Sequence, residues 1–168
     1  MTLTHRTGNV WRVGKFEQLF RKTSLFNWSL ASSPAPRLSH VVTDYWRGSA
    51  SLGSRTMTSN TNWRNDSRGF DQFEWVRDLR AFGGSQARTR ARRLISNWLQ
   101  QNDRWTMKGW QPDIMAKRLT NLVFCYDWYG SSADEKFQGQ LKKTVRLQAR
   151  CIATVSYTHL TLPTNSRV

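Results

Sequence analysis

From Phe70 onward, apolar residues recur at helical spacing and the runs are separated by turn signals. The pattern predicts a first helix starting at Asp71, which stands three residues before Glu74 in the arrangement of a capping box. Its apolar stripe is Phe73, Val76, Leu79 and Phe82, and Gly83-Gly84 ends it, because glycine closes a helix C-terminus without a Cβ penalty. Ser85 is placed to cap a second helix with Ala87, Ala91, Leu94, Ile95, Trp98 and Leu99 on one face and Arg88, Arg90, Arg92 and Arg93 over the rest. After a Trp-rich connection from Asn102 to Gln111, Pro112 suits the first turn of a third helix, with the stripe Met115, Leu119, Leu122, Val123 and Tyr126. Gly130-Ser131-Ser132 breaks that helix. Ser132 with Glu135 offers a second capping box ahead of Phe137, Leu141, Val145, Gln148 and Ile152. Helices in tandem on short turns pack as antiparallel neighbours, so the expected fold class is all-α, built of helical hairpins.

The first 69 residues read differently. A helix is expected around Val13 to Lys22, then a linker at Ser32-Ser33-Pro34-Ala35-Pro36, then an extended, loop-like stretch from Tyr45 to Arg68 that is rich in Gly and Ser. At the other end, the segment from Val155 to Thr164 abandons the helical period and resembles the translated adapter tail that ends many metagenomic gene fragments. On that reading His159 carries no meaning and the natural chain continues beyond about residue 154. The expected organisation is therefore an irregular segment over 1–69, a truncated helical domain over 70–153 and an artefactual tail over 154–168.

Composition narrows the chemistry. The 168 residues hold 26 Lys+Arg against 11 Asp+Glu, a formal charge of +15. Two cysteines, Cys125 and Cys151, and three histidines, His5, His40 and His159, do not make one four-ligand zinc cluster or a disulfide framework, and no metal or cofactor is expected. No segment reaches the roughly 20 apolar residues that span a bilayer. The run Leu25 to Ala31 is short, carries polar residues and follows Lys22 too late for a convincing signal peptide.

Between Ser85 and Arg118 lie six Arg and two Lys against Asp103 and Asp113, a net of +6, and a field of that sign concentrates polyanions. A solvated face that favours Arg for helix propensity explains the same residues. The chain has nine tryptophans, and Trp105 and Trp110 flank a turn, where a flat apolar face with a polar edge can stack on a sugar or a base. Covering the ends of helix pairs is the competing role. The carboxylate pairs Glu74 with Asp78 and Asp134 with Glu135 fit capping and solvated faces, and there is no phosphate loop and no nucleophile elbow.

The run Phe73-Glu74-Trp75-Val76-Arg77-Asp78-Leu79-Arg80-Ala81, then Ala91 to Trp98, Arg104-Trp105, Trp110-Gln111-Pro112-Asp113 and Arg118-Leu119, resembles the helical N-terminal part of bacterial heparinase II/III-like proteins. Asp44-Tyr45-Trp46-Arg47-Gly48 resembles the short segment that precedes it in that family. The resemblance covers roughly residues 40 to 153 and implies the start of an incomplete α/α toroid, with a β-sandwich to follow. It implies cleavage of an acidic, uronate-containing polysaccharide by β-elimination, with Tyr and His as acid and base, in the cell envelope or periplasm. Those catalytic residues belong to segments beyond this chain, so none is carried over and the fragment alone is expected to be inactive. The expected substrate contacts are Trp105 and Trp110 for stacking, with Arg77 and Arg118 for uronate or sulfate. The partner is then an acidic polysaccharide, with no nucleic acid expected. The alternatives are a basic helical module that binds nucleic acid, against which the absence of a recognition-helix motif weighs, and a purely structural helical scaffold.

Overall fold

The structure, a computed structural model, describes residues 44–59, 67–102 and 109–160. They form α1 (Ala50–Thr58), α2 (Ser67–Asp71), α3 (Glu74–Phe82), α4 (Gly84–Gln101), α5 (Pro112–Phe124), α6 (Tyr126–Tyr129) and α7 (Glu135–Leu160). No strand occurs among the described residues, and the fold is all-α as the periodicity predicts. The helix expected at Val13–Lys22 and the linker at Ser32–Pro36 lie outside the described residues. The backbone of α7 stays helical to Leu160, past the point where the apolar period is lost. No helix of the described residues is long and apolar enough to cross a membrane.

Within the Tyr45–Arg68 stretch, Ala50–Thr58 is a helix instead of the loop its composition suggests, while residues 60–66 lie outside the described residues. Ser49 caps α1 with its hydroxyl on the Leu52 N–H, and Ser49's own N–H donates to the Asp78 carboxylate at 2.7 Å. A glycine in a helix costs about 1 kcal/mol relative to alanine, which is why the sequence reads as a loop. Here Gly53 is needed, because α1 lies directly on the backbone of α3: a Cβ at 53 would sit 2.2 Å from the Asp78 carbonyl oxygen.

Three expected caps are also replaced. Asp71 does not open a helix; it ends α2, and its carboxylate accepts from the Trp98 indole N–H at 2.7 Å. Phe73 then takes a left-handed conformation, φ 62°, before α3 begins at Glu74. That strain costs on the order of 1–3 kcal/mol. It is offset by complete burial of the Phe73 ring against Trp75 and Trp98, with centroids 5.1 and 5.2 Å away. Ser85 lies inside the first turn of α4, because Gly83 and Gly84, both at positive φ, start that helix one residue early. Asp134 caps α7 through the Phe137 N–H, since Arg92 of α4 engages Ser132.

The apolar stripes converge on one core. Val76 and Leu79 of α3, Ala91, Ile95 and Trp98 of α4, Leu122 of α5 and Leu141 of α7 are all buried in it. Each large aliphatic side chain so buried contributes roughly 1.5–3 kcal/mol. Phe82, last in the α3 stripe, remains 45% exposed beside α1. A smaller cluster joins Trp110, Met115, Leu147 and Cys151.

Cys125 and Tyr129 sit at the turn between α5 and α7, and the Tyr129 hydroxyl donates to the Leu122 carbonyl at 3.0 Å. Burial pushes the pKa of both upward, Tyr129 well above its ordinary 10.0, while hydrogen bonding and charge from Arg80 partly oppose the rise at Cys125. The unfolded chain therefore releases these protons first, so stability is fully present below about pH 9 and falls as pH rises further. Arg118 acts in the opposite sense above about pH 10, since its folded pKa is the lower one. The expected result is a melting temperature that is flat to about pH 9 and then declines. Tyr129→Phe should flatten the upper part of that decline while costing about 1 kcal/mol at neutral pH. Melting curves of both proteins across this range check it, and a decline of equal slope in the variant would disprove the assignment.

Candidate functional site

Arg77 is 9% exposed, and the chain itself uses its guanidinium. Nε donates to the Asn121 side-chain oxygen on α5, while Nη1 donates to Asp44 at 2.8 Å and to the Trp46 carbonyl at 2.9 Å. Asn121 is held in turn by donating to the Gln72 carbonyl at 2.8 Å. One arginine thus clasps the 44–49 segment to α3 and α5. With both partners nearly buried, this ion pair escapes most of the screening that makes surface pairs weak.

The clasp shapes a cleft of about 420 Å³ lined by Asp44, Trp46, Arg47, Gly48, Arg77, Arg80 and Ala81. Trp46 is 65% exposed, and its ring is supported from within the fold by Arg77, 5.4 Å from the ring centroid, and by Phe124 at 6.3 Å. Arg80, on the same face, donates to the Phe124 carbonyl and lies 3.7 Å from Asp44 and 3.8 Å from Asp127. Arg47 is exposed, with no hydrogen bond or ion pair among the described residues. Chemically the cleft offers an indole for a flat apolar ring and guanidinium groups for an anion beside it. Sequence reasoning included Arg77 but missed Trp46 and Arg47. Their only signal was membership of the Asp44–Gly48 run, and ring exposure has no local signature.

Arg118 is fully buried and bridges three segments. Its Nε donates to Gln148 of α7 at 2.9 Å, Nη1 to the Asp71 carbonyl at 2.9 Å and Nη2 to the Gly109 carbonyl at 2.8 Å, and the guanidinium lies 4.3 Å from the Trp98 ring centroid. Burial pulls its pKa down to about 10, with the Asp71 charge opposing in part. So placed, it holds the protein's own carbonyls and anchors the turn that carries Trp110. Trp110 is only 3% exposed, too little for a sugar ring to stack on in this conformation. It forms part of the wall of a second cleft, about 300 Å³, with Gln100, Asn102, Gln140, Lys143 and Thr144 between α4 and α7. Trp105 lies outside the described residues. Arg77, Arg118 and Trp110 are thus not gathered at one opening: Arg77 serves the first cleft, whereas Arg118 braces the second from within.

Among the described residues, neither carboxylate pair singled out by the sequence forms an acid–base pair. Asp78 accepts from Ser49, Asp134 caps α7, and Glu74 makes a surface contact with Lys117 at 3.5 Å that is worth little. Among the described residues no group of three His, Cys, Asp or Glu stands close enough to hold a metal ion. No family model matches the chain, and no curated protein or solved structure matches it either.

Proposed function

We propose that the chain is the N-terminal part of a heparinase II/III-like polysaccharide lyase and that the Trp46 cleft holds a uronate unit of an acidic polysaccharide. In this reading the helices are tandem antiparallel hairpins that open an incomplete α/α toroid; packing of α3 on α4 and of α5 on α7 supports it. The observation that carries the binding role is the exposed Trp46 indole, stiffened by Arg77 and flanked by Arg47 and Arg80. A uronate presents an apolar ring face and a carboxylate, which that pairing complements. In β-elimination the C5 proton is removed, so the carboxylate next to it needs a positive partner to stabilise the enolate-like state. Arg47 and Arg80 would bind and orient that group, while the proton transfers belong to residues outside this chain.

The test is oligouronate binding by calorimetry. Trp46→Ala is expected to weaken it by roughly 10-fold or more, the value of one lost stacking contact, and Arg47→Ala by a similar factor. Trp110→Phe should leave it unchanged. Unaltered affinity in Trp46→Ala and Arg47→Ala would reject the cleft. Tighter retention of duplex DNA than of a uronate polymer at matched charge and salt would favour a basic nucleic-acid module instead. At the level of the enzyme, the gene recovered at full length should generate unsaturated uronate and this chain alone should not.

A further inference from the structure

A third cavity, about 280 Å³, opens where α1 meets the first half of α4, and it shares no residue with either cleft described above. Met57 closes one side; Ser85, Gln86, Thr89, Arg90 and Arg93 form a continuous stripe of α4 on the other. Arg90 and Arg93 stand three apart and so lie on the same helix face, where like charges repel. Neither forms an ion pair among the described residues. Arg90 donates through Nη2 to the Ser59 carbonyl at 2.6 Å, yet its Nε is buried and has no acceptor. Burial, with repulsion from Arg93 adding to it, lowers the Arg90 pKa. The first turn of α4 holds no acidic residue, and no side chain caps it. Two adjacent cations and a lining that, among the described residues, holds no carboxylate are complementary to a compact anion of high charge.

We infer that this cavity binds a tetrahedral oxyanion, the phosphate or sulfate group of a small ester. Its oxygens would accept from the Arg90 and Arg93 guanidinium groups that line the cavity, relieving the repulsion between them. The inference does not depend on the lyase reading.

The experiment follows backbone amide NMR shifts of the whole chain while inorganic phosphate or sodium sulfate is added, against sodium chloride at equal ionic strength. Saturable shifts centred on Ser85 to Arg93 are expected with the two oxyanions and not with chloride. Arg93→Gln removes an exposed side chain that makes no hydrogen bond or ion pair among the described residues, and it should weaken binding roughly 10-fold or more with unchanged far-UV ellipticity. Lys136→Gln, an exposed charge on α7, should change it by less than about twofold. Shifts that chloride reproduces, or undiminished affinity in Arg93→Gln, would overturn the site. Phenyl phosphate and a sulfated monosaccharide, titrated in parallel, then tell which ester it prefers. Trp46→Ala is expected to leave oxyanion binding intact, so failure of one site is distinguishable from failure of the other.

Discussion

Replacing Arg118 with leucine is expected to remove about 3–5 kcal/mol of stability, the scale seen when a buried charged group leaves its partners behind. Leucine fills part of the volume but donates nothing, so the carbonyls of Asp71 and Gly109 and the side-chain oxygen of Gln148 all lose a donor. Each buried acceptor left unmet costs about 1–3 kcal/mol. Against this, the native protein gives up something to keep a cation inside, as the fall of the Arg118 pKa to about 10 records. The three lost bonds outweigh that relief because they tie α2, the Gly109 turn and α7 to α5 at one point. Arg118→Lys should rescue little, since a compact ammonium cannot span three acceptors in a planar fork. Urea unfolding monitored by far-UV ellipticity checks this, and a leucine variant with the native midpoint would show that the bridge is dispensable. Against a usual total of about 5–15 kcal/mol, the loss should also sharply raise the fraction of unfolded chain at physiological temperature.

Gly53→Ala is expected to destabilise by about 1–3 kcal/mol, the opposite sign from the usual gain of about 1 kcal/mol when a helix glycine becomes alanine. The propensity gain is smaller than the cost of separating two helices. The new Cβ would lie 2.2 Å from the Asp78 carbonyl oxygen and 2.8 Å from the Phe82 Cβ, and backbone cannot swing aside as a flexible side chain does. Displacing α1 from α3 also pulls the Ser49 N–H from Asp78 and disturbs the wall of the Trp46 cleft. Loss of amide hydrogen-exchange protection concentrated in α1, with α4 and α7 little changed, is the expected pattern. A variant more stable than the parent would mean that α1 does not rest on α3 as described.

The helical core was legible because its cause is local. Leu79, Ile95, Leu122 and Leu141 stand at helical spacing within their own segments, and Pro112 with the two glycines at 83 and 84 marks where segments start and stop. The caps were less legible. Ser132 reads as a cap for α7 until Arg92, 40 residues earlier, engages its hydroxyl. Asp71 reads as a helix start until the Trp98 indole, 27 residues later, claims its carboxylate. Of the candidate site, the sequence marked arginines and tryptophans as the chemistry to watch, but it ranked them by motif, and exposure ranks them otherwise.

By itself, then, the sequence determined an all-α chain, the face each long helix turns inward and a strong excess of positive charge, all of which follow from residue order at short range. Only the tertiary structure decided that Gly53 belongs to a helix, that Arg118 serves the interior and that Trp46 stands open beside Arg47. Those outcomes depend on which carbonyls, rings and carboxylates arrive from elements about 30 residues away or more, and no local pattern encodes such a meeting. The same physics gives one residue type opposite placements: a guanidinium that finds three acceptors, Arg118, is locked inside, and one that finds none among the described residues, Arg47, stays exposed.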